Sequence, residues 1–374
     1  MRGTRWGALT VAALVVAVAA VARPQERLTV AAVGDLMLGT TYPTDLLPPE
    51  DAATAFDPVA AALRGHDVLF GNLEGPLLDG GTSAKCPKEN AARCFEFRMP
   101  RRYARRLASA GFHALNIANN HAFDFGREGV ESTVAALAEA GIQAVGGERV
   151  ARLQVRGRRV AILGFSTSPP SPYSASILDL ERARTLVAAA RAENDLVIVS
   201  FHGGAEGKGA QHVADQEEFL GTESRGNVLR FARAVVDAGA DLVLGHGPHV
   251  PRAMELRRGK LIAYSLGNFL TYGRFNTKGP SGLGYVLAVE LDAATGDFVA
   301  GRIVSVALSE PGLPAPDPGD GAAALVQSLT AADLGGGGLA FREQGRFGQA
   351  ARDRGGPGAA NGGGLRESPV PIDK

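Results

Sequence analysis

The chain has 374 residues, with 39 basic and 39 acidic side chains, seven His, two Cys and one Trp. At 45% hydrophobic and 21% charged it can bury a sizeable core, which excludes a disordered chain, and its zero formal charge lacks the basic balance of a nucleic-acid binder. Two cysteines exclude a disulfide scaffold and a Cys-rich zinc domain.

The N-terminus reads as an export signal. Arg2 and Arg5 form a short positive segment, an uncharged apolar run covers residues 8–22, and Ala20-Val21-Ala22 has the small-x-small pattern of a cleavage site. The run is shorter than the ~20 residues of a bilayer-spanning helix. Residues 1–22 are therefore expected to be a cleaved signal, with the protein periplasmic or extracellular; an uncleaved membrane anchor is the alternative. The one Trp, Trp6, lies in this segment.

Beyond the signal, short apolar runs alternate with helix-like stretches. Strands are predicted at 28–34, 67–71, 114–118, 160–165, 196–201 and 242–245, and amphipathic helices at 101–110, 127–140, 180–193 and 227–238. This β-α-β-α order predicts an α/β domain with a largely buried sheet. Two hairpins, 152–165 broken at Arg156-Gly157-Arg158 and 254–264 broken at Arg258-Gly259, make the sheet mixed. Late strands at 286–291 and 303–308 flank the turn Thr295-Gly296-Asp297, so the folded domain is expected over 28–310. A C-terminal extension, 311–334, opens Pro-rich and offers one helix at 322–334. Residues 335–374 are Gly-rich without apolar periodicity and are expected to be a flexible tail. Cys86 and Cys94 lie in a polar loop where an oxidising compartment predicts a local disulfide, the alternative being two free thiols.

Five apolar runs end in residues suited to metal or acid–base chemistry. The first reaches Asp35, the second Asn72-Leu73-Glu74, the third Asn119-Asn120-His121, and the later ones His202 and His246-Gly247-Pro248-His249. In an open α/β sheet the crevice outside the carboxyl ends of strands is where ligands bind. Five such ends on one edge bring Asp, Glu, Asn and His together, including four of the seven His. Imidazole nitrogen, carboxylate oxygen and amide carbonyl suit Mn²⁺, Fe or Zn²⁺, and one or two such ions are expected. A His outside the metal shell can protonate a leaving group.

At these residues the chain resembles the CapA-type proteins of poly-γ-glutamate capsule synthesis, which share the calcineurin-like metallophosphatase fold. The matching motifs are Gly34-Asp35-Leu36-Met37-Leu38-Gly39, Asn72-Leu73-Glu74-Gly75-Pro76-Leu77, Ala118-Asn119-Asn120-His121-Ala122-Phe123-Asp124-Phe125-Gly126, His202-Gly203-Gly204, Gly245-His246-Gly247-Pro248-His249-Val250 and Tyr264-Ser265-Leu266-Gly267-Asn268-Phe269. The resemblance implies a layered α/β sandwich of mixed sheets. It implies Asp35, Glu74, Asn120, His202, His246 and His249 as metal ligands, with Glu74 bridging. His121 resembles the general acid, Asp124 the residue that orients it, and Asn268 lies near the site as a substrate-binding candidate. The implied partners are an anionic envelope polymer or its phosphorylated precursor and a capsule synthase complex.

This chain departs from the pattern. Phosphatases of the fold carry Asp-x-His at the first motif, whereas here the third position is Met37, which weakens one metal position. Gly203 and Gly247 replace bulkier family residues and are expected to open the pocket. The functional expectation is an exported metal-dependent phosphoesterase of capsule or exopolymer synthesis. A non-catalytic assembly factor on the same fold is the alternative, with an amide hydrolase or transferase a third reading.

Overall fold

The computed structural model describes residues 26–83, 85–86 and 94–351. The expected export signal, residues 1–22, lies outside them.

The chain first lays down four parallel strands side by side: β1 (Arg27–Met37), β2 (Val68–Leu73), β3 (Ala114–Asn116) and β4 (Gln143–Val145). The helices Tyr103–Ala110 and Gly126–Glu139 make the later crossovers. A second sheet follows. β5 (Ala151–Val155) and β6 (Arg158–Ser166) form the first expected hairpin, and β6 is flanked in parallel by β7 (Ala175–Ser176) and β8 (Leu196–His202). A small hairpin, β9 (Glu218–Leu220) and β10 (Glu223–Gly226), stands apart from both sheets. β11 (Leu242–His246) then pairs with β8, and the second expected hairpin, β12 (Met254–Arg257) and β13 (Lys260–Ala263), closes that edge.

The chain finally returns to the first sheet. β14 (Asn268–Thr271) runs parallel to the end of β1, while β15 (Leu283–Asp292), β16 (Phe298–Ser309) and β17 (Leu313–Pro316) extend the sheet antiparallel from β1. β18 (Leu339–Phe341) and β19 (Arg346–Gln349) complete it. The protein is thus a layered α/β sandwich of one 10-stranded and one 7-stranded mixed sheet.

Alternation along each strand builds the layers. Leu28, Val30 and Ala32 of β1 share a core with Ile162, Ile198 and Leu244 of the second sheet. Their neighbours Ala31 and Val33 instead join Leu107 and Leu137 of the first sheet's helices. On the far side Val197, Val199 and Val243 pack against Val187, Phe231 and Val235. The helices Leu180–Glu193 and Val228–Asp237 are capped by Asp179 and Asn227, whose side chains accept the Arg182 and Arg230 amides.

The Gly-rich tail needs correcting. Expected to be flexible from residue 335, the chain instead forms β18 and β19 and is ordered in the first sheet through Gln349. The reason is a glycine in the receiving strand: Gly301 leaves room for the Phe347 ring, which would lie 2.2 Å from a Cβ there. Phe347 stacks on Phe298 at 5.3 Å between centroids and is buried. The remainder of the expected tail, 352–374, lies outside the described residues.

Candidate metal centre

Strand register gathers the polar residues. In the first sheet Asp35 pairs with Asn72 on one side and Asn268 on the other, and Asn72 pairs with Asn116. In the second sheet Ser166, His202 and His246 lie in one row. All seven sit at the carboxyl ends of their strands except Asn268, which opens β14. The apolar runs hid how far the strands reach: β1, β8 and β11 each continue through their first site residue.

Asp35, Glu74 and His249 offer ligand atoms that all lie within 4.8 Å of one another. Asp35 Oδ2 is 3.0 Å from His249 Nδ1, and Glu74 Oε1 is 3.5 Å from His249 Nε2 and 3.4 Å from His202 Nε2. His202 and His249 face each other with ring centroids 6.4 Å apart. Asp35, Glu74 and His202 are fully buried. Asp35 Oδ2, both Glu74 oxygens, both His202 nitrogens and Asn120 Oδ1 are buried without a hydrogen bond. Buried polar atoms are nearly always paired, so this cluster of acceptors fits a cation.

Electrostatics agree. Burial pushes the Glu74 carboxyl up to about 7, with the Asp35 charge adding to it and His249 opposing. Burial would raise Asp35 as well, but the His249 contact and the neighbouring imidazoles outweigh it and hold the carboxyl at about 2. Burial disfavours charge on His249, and the Glu74 and Asp35 carboxylates overcome it, raising the ring to about 10. A protonated His249 is thus the positive charge that the chain itself supplies between two carboxylates. His249 also holds the left-handed backbone, φ +59°, a conformation that costs of order 1–3 kcal/mol outside glycine and aims the ring inward after Gly247-Pro248.

Two expected site residues already have protein partners. His246 is buried in the row, but its Nε2 meets the Val33 carbonyl at 3.1 Å and its Nδ1 meets Ser200 Oγ at 3.3 Å. Both nitrogens thus have protein partners, and the Val33 contact ties β11 to β1. Asn268 accepts from His249 Nδ1 at 3.1 Å and donates to the Ser281 carbonyl at 3.0 Å. Both ends of its amide are used, and the Oδ1 contact orients His249.

His121 and Asp124 form a pair at the turn before the helix Gly126–Glu139, with Asp124 Oδ2 2.8 Å from His121 Nδ1. The Cys86–Cys94 disulfide is formed. The glycine substitutions do not widen the pocket. A Cβ on Gly203 would lie 2.5 Å from Ile177 Cδ1, and one on Gly247 3.0 Å from the Gly203 amide nitrogen and 3.2 Å from His202 Cε1. Two buried arginines lie alongside, Arg252 next to Gly204 and gripping Glu218 at 3.0 and 2.7 Å, and Arg225 facing Glu206 at 2.9 Å.

The description "bacterial capsule synthesis protein PGA_cap" belongs to a family model that matches residues 29–272, a span that holds every strand end just described. The chain belongs to this family. Within it, the capsule biosynthesis protein CapA of Bacillus anthracis is 30% identical over 273 residues, covering 66% of this chain and 61% of the relative. The PGA biosynthesis protein CapA of Bacillus subtilis (strain 168) is 28% identical over 253 residues, covering 64% and 62%. The chain thus spans about three fifths of the length of these PGA_cap relatives. Among solved structures, a phosphatase from Mycoplasma pneumoniae superposes with a TM-score of 0.47 at 13% identity, over 79% of this chain and 96% of that one.

The PGA_cap motifs concealed a relay of asparagines. Asn116 donates to Asn72 Oδ1 at 3.0 Å, and Asn72 donates to Asp35 Oδ1 at 2.9 Å, fixing which carboxylate oxygen remains for a ligand. Asn119 donates to Asn72 Oδ1 at 3.3 Å and to the Leu73 carbonyl at 2.9 Å. Asn72 stood in a motif without a role, and its signal was an amide at the end of a buried strand. Phe97 and Lys85, which also touch the His121–Asp124 pair, carried no signal in the sequence.

Proposed function

We propose that this PGA_cap-family protein is an exported, metal-dependent phosphoesterase that acts on an anionic envelope polymer, poly-γ-glutamate-like, or on its phosphorylated precursor. The observation that carries this reading is the set of buried acceptor atoms without partners at Asp35, Glu74 and His202, beside a His249 held between two carboxylates. Asp35, Glu74, His202 and His249 would hold one or two divalent ions of the Mn, Fe or Zn class, with Asn120 from the adjoining turn. Bound there, such an ion lowers the pKa of a water and neutralises charge on a phosphoryl oxygen.

The chain's own residues supply the rest. Asn72 holds Asp35 in one orientation, and Asn268 does the same for His249. Asp124 accepts from Nδ1 of His121, which leaves Nε2 as the atom that delivers a proton to a leaving oxygen. The test is metal analysis of the purified full chain, then turnover of bis(p-nitrophenyl) phosphate by wild type and His121→Ala. No bound metal and no turnover dependent on His121 overturns the reading.

Met37 favours a second reading, a non-catalytic capsule assembly factor on the same fold. It is buried where a further His would complete the first motif. Complementation of a capsule-deficient strain by Asp35→Ala and His121→Ala separates the two, because only an assembly factor tolerates both.

A further inference from the structure

The Asp124 carboxylate is fully buried and its contacts come from three places. One is His121. The second is Lys85, whose ammonium pairs with Asp124 Oδ1 and also lies 3.1 Å from His121 Nδ1 and 3.2 Å from the Asn120 carbonyl. The third is the Phe97 amide, which donates to Asp124 Oδ2 at 2.8 Å. Lys85 immediately precedes Cys86, and Phe97 follows Cys94 by three positions. The two residues that grip Asp124 are therefore the two arms of the loop that the disulfide closes. Further contacts strengthen the grip. Ser83 Oγ donates to the Asp124 carbonyl and accepts from the Lys85 amide at 3.1 Å, and the Phe97 ring lies over the His121 ring at 4.4 Å between centroids.

We propose that Lys85 is a positioning residue for the His121–Asp124 pair, and that the Cys86–Cys94 disulfide serves the reaction by holding Lys85 on one Asp124 oxygen and the Phe97 amide on the other. The inference rests on the hydrolase reading for its kinetic consequence, and on geometry alone for the placement of the His121 ring. A lysine has four rotatable side-chain bonds, and holding it on a buried carboxylate carries an entropy cost that falls when its backbone is already fixed. The bridge fixes that backbone next to the residue that needs it. Lys85 offers donors only, and the two Asp124 oxygens divide the work, Oδ1 accepting from the ammonium and Oδ2 from His121 Nδ1. It holds the carboxylate, and the carboxylate orients the ring. The ammonium is about one third exposed against a fully buried partner, so solvent screens the pair only from one side.

The experiment uses the full chain loaded with Mn²⁺ and bis(p-nitrophenyl) phosphate as the probe. Lys85→Met and the pair Cys86→Ser with Cys94→Ser are each expected to lower kcat about tenfold with KM unchanged, a part of the effect of a positioned acid. The triple variant is expected to fall no further, because two changes that release the same contact do not add. Lys85→Arg, which keeps the donor, is expected to recover most of the loss. In protein labelled with ¹⁵N-histidine, the His121 ring signals, identified by their loss in His121→Asn, should shift alike in Lys85→Met and in the serine pair. A kcat within twofold of wild type in Lys85→Met, or His121 signals that do not move, overturns the proposal. Losses that multiply in the triple variant overturn the link to the disulfide. If the wild type turns over no phosphodiester, the hydrolase reading falls and the His121 spectrum alone decides the placement. Lys85→Met leaves the disulfide intact, so it remains informative if the serine pair fails to fold.

Discussion

His202→Leu tests the central claim that the site is built for a cation and not for its own stability. His202 is fully buried at the end of β8 with neither ring nitrogen hydrogen bonded. A buried polar group without a partner costs roughly 1–3 kcal/mol. Burial also governs its protonation, drawing the ring from 6.5 to about 3 against the pull of the Asp35 carboxylate. The folded protein therefore binds fewer protons than the unfolded chain between those values. Stability rises with pH across that window, by about 5 kcal/mol in all, and the contribution is flat above about 6.5. Leucine has no nitrogen to desolvate and nothing to protonate, and its volume is close to that of the imidazole.

In metal-stripped protein His202→Leu is therefore expected to be more stable than wild type at neutral pH by about 1–3 kcal/mol. Its stability should also fall less between about pH 6.5 and pH 4. The metal-bound comparison runs the other way. A divalent ion at a hundred times its Kd stabilises the wild type by about 2.7 kcal/mol, and the increment should shrink below about 1 kcal/mol in the variant. Urea unfolding at several pH values, with and without Mn²⁺, measures both quantities. A metal-stripped variant less stable than wild type at neutral pH, or an undiminished metal increment, refutes the assignment of His202 as a ligand.

Three further outcomes follow from the same geometry. Burial holds Glu74 up at about 7, and the two carboxylates hold His249 up at about 10 in spite of burial, so both bind protons that a metal must displace. Metal affinity should accordingly rise with pH through neutrality, and calorimetry in buffers of different ionisation heat should show net proton release, whose absence sinks the assignment. Asn72→Ala removes the donor to Asp35 Oδ1 and should weaken metal binding about 10- to 100-fold, as read by competition with a chelating dye. Gly34→Ala places a Cβ 1.9 Å from the Gly267 carbonyl oxygen, where the adjacent Asp35 amide donates at 3.0 Å. That clash of backbone on side chain should lower stability by about 3 kcal/mol or more, seen as a fall in Tm.

Most strands were legible because their apolar runs are buried, and three misplaced strand ends share one physical pattern. A reading of apolar runs stops at the first polar residue, yet backbone pairing continues through Asp35, His202 and His246 because their neighbours in the row are polar too. These three strands therefore look shorter in sequence than they are, whereas the run at 114–118 overshoots β3, which stops at Asn116. The tail failed for a different reason. Its glycines suggest freedom, but Phe347 finds its place only against Gly301, and no local pattern links two residues so distant in sequence. Within the site, motif membership showed which residues come near one another and not where each nitrogen points. His246 and Asn268 sit where the motifs imply, with their polar atoms already engaged by Val33, Ser200 and Ser281.

The count of protons at the centre is what separates a metal site from a buried polar network. A network closes when donors match acceptors. The asparagine relay does close, ending on Asp35 Oδ1. Beyond that atom the balance fails: Asp35 Oδ2, the Glu74 carboxyl and Asn120 Oδ1 present four oxygens without a hydrogen bond, Glu74 holds at most one proton for its two, and a neutral His202 brings one proton for two nitrogens. The buried guanidinium of Arg225 does not redress this, since its partners are Glu206 at 2.9 Å and Glu223 at 3.7 Å. His249 carries the one cationic charge set between the two carboxylates. One imidazolium and one carboxyl proton cannot satisfy that many oxygens and nitrogens. A divalent cation can, and by displacing the proton from His249 it gains a nitrogen ligand in the same step.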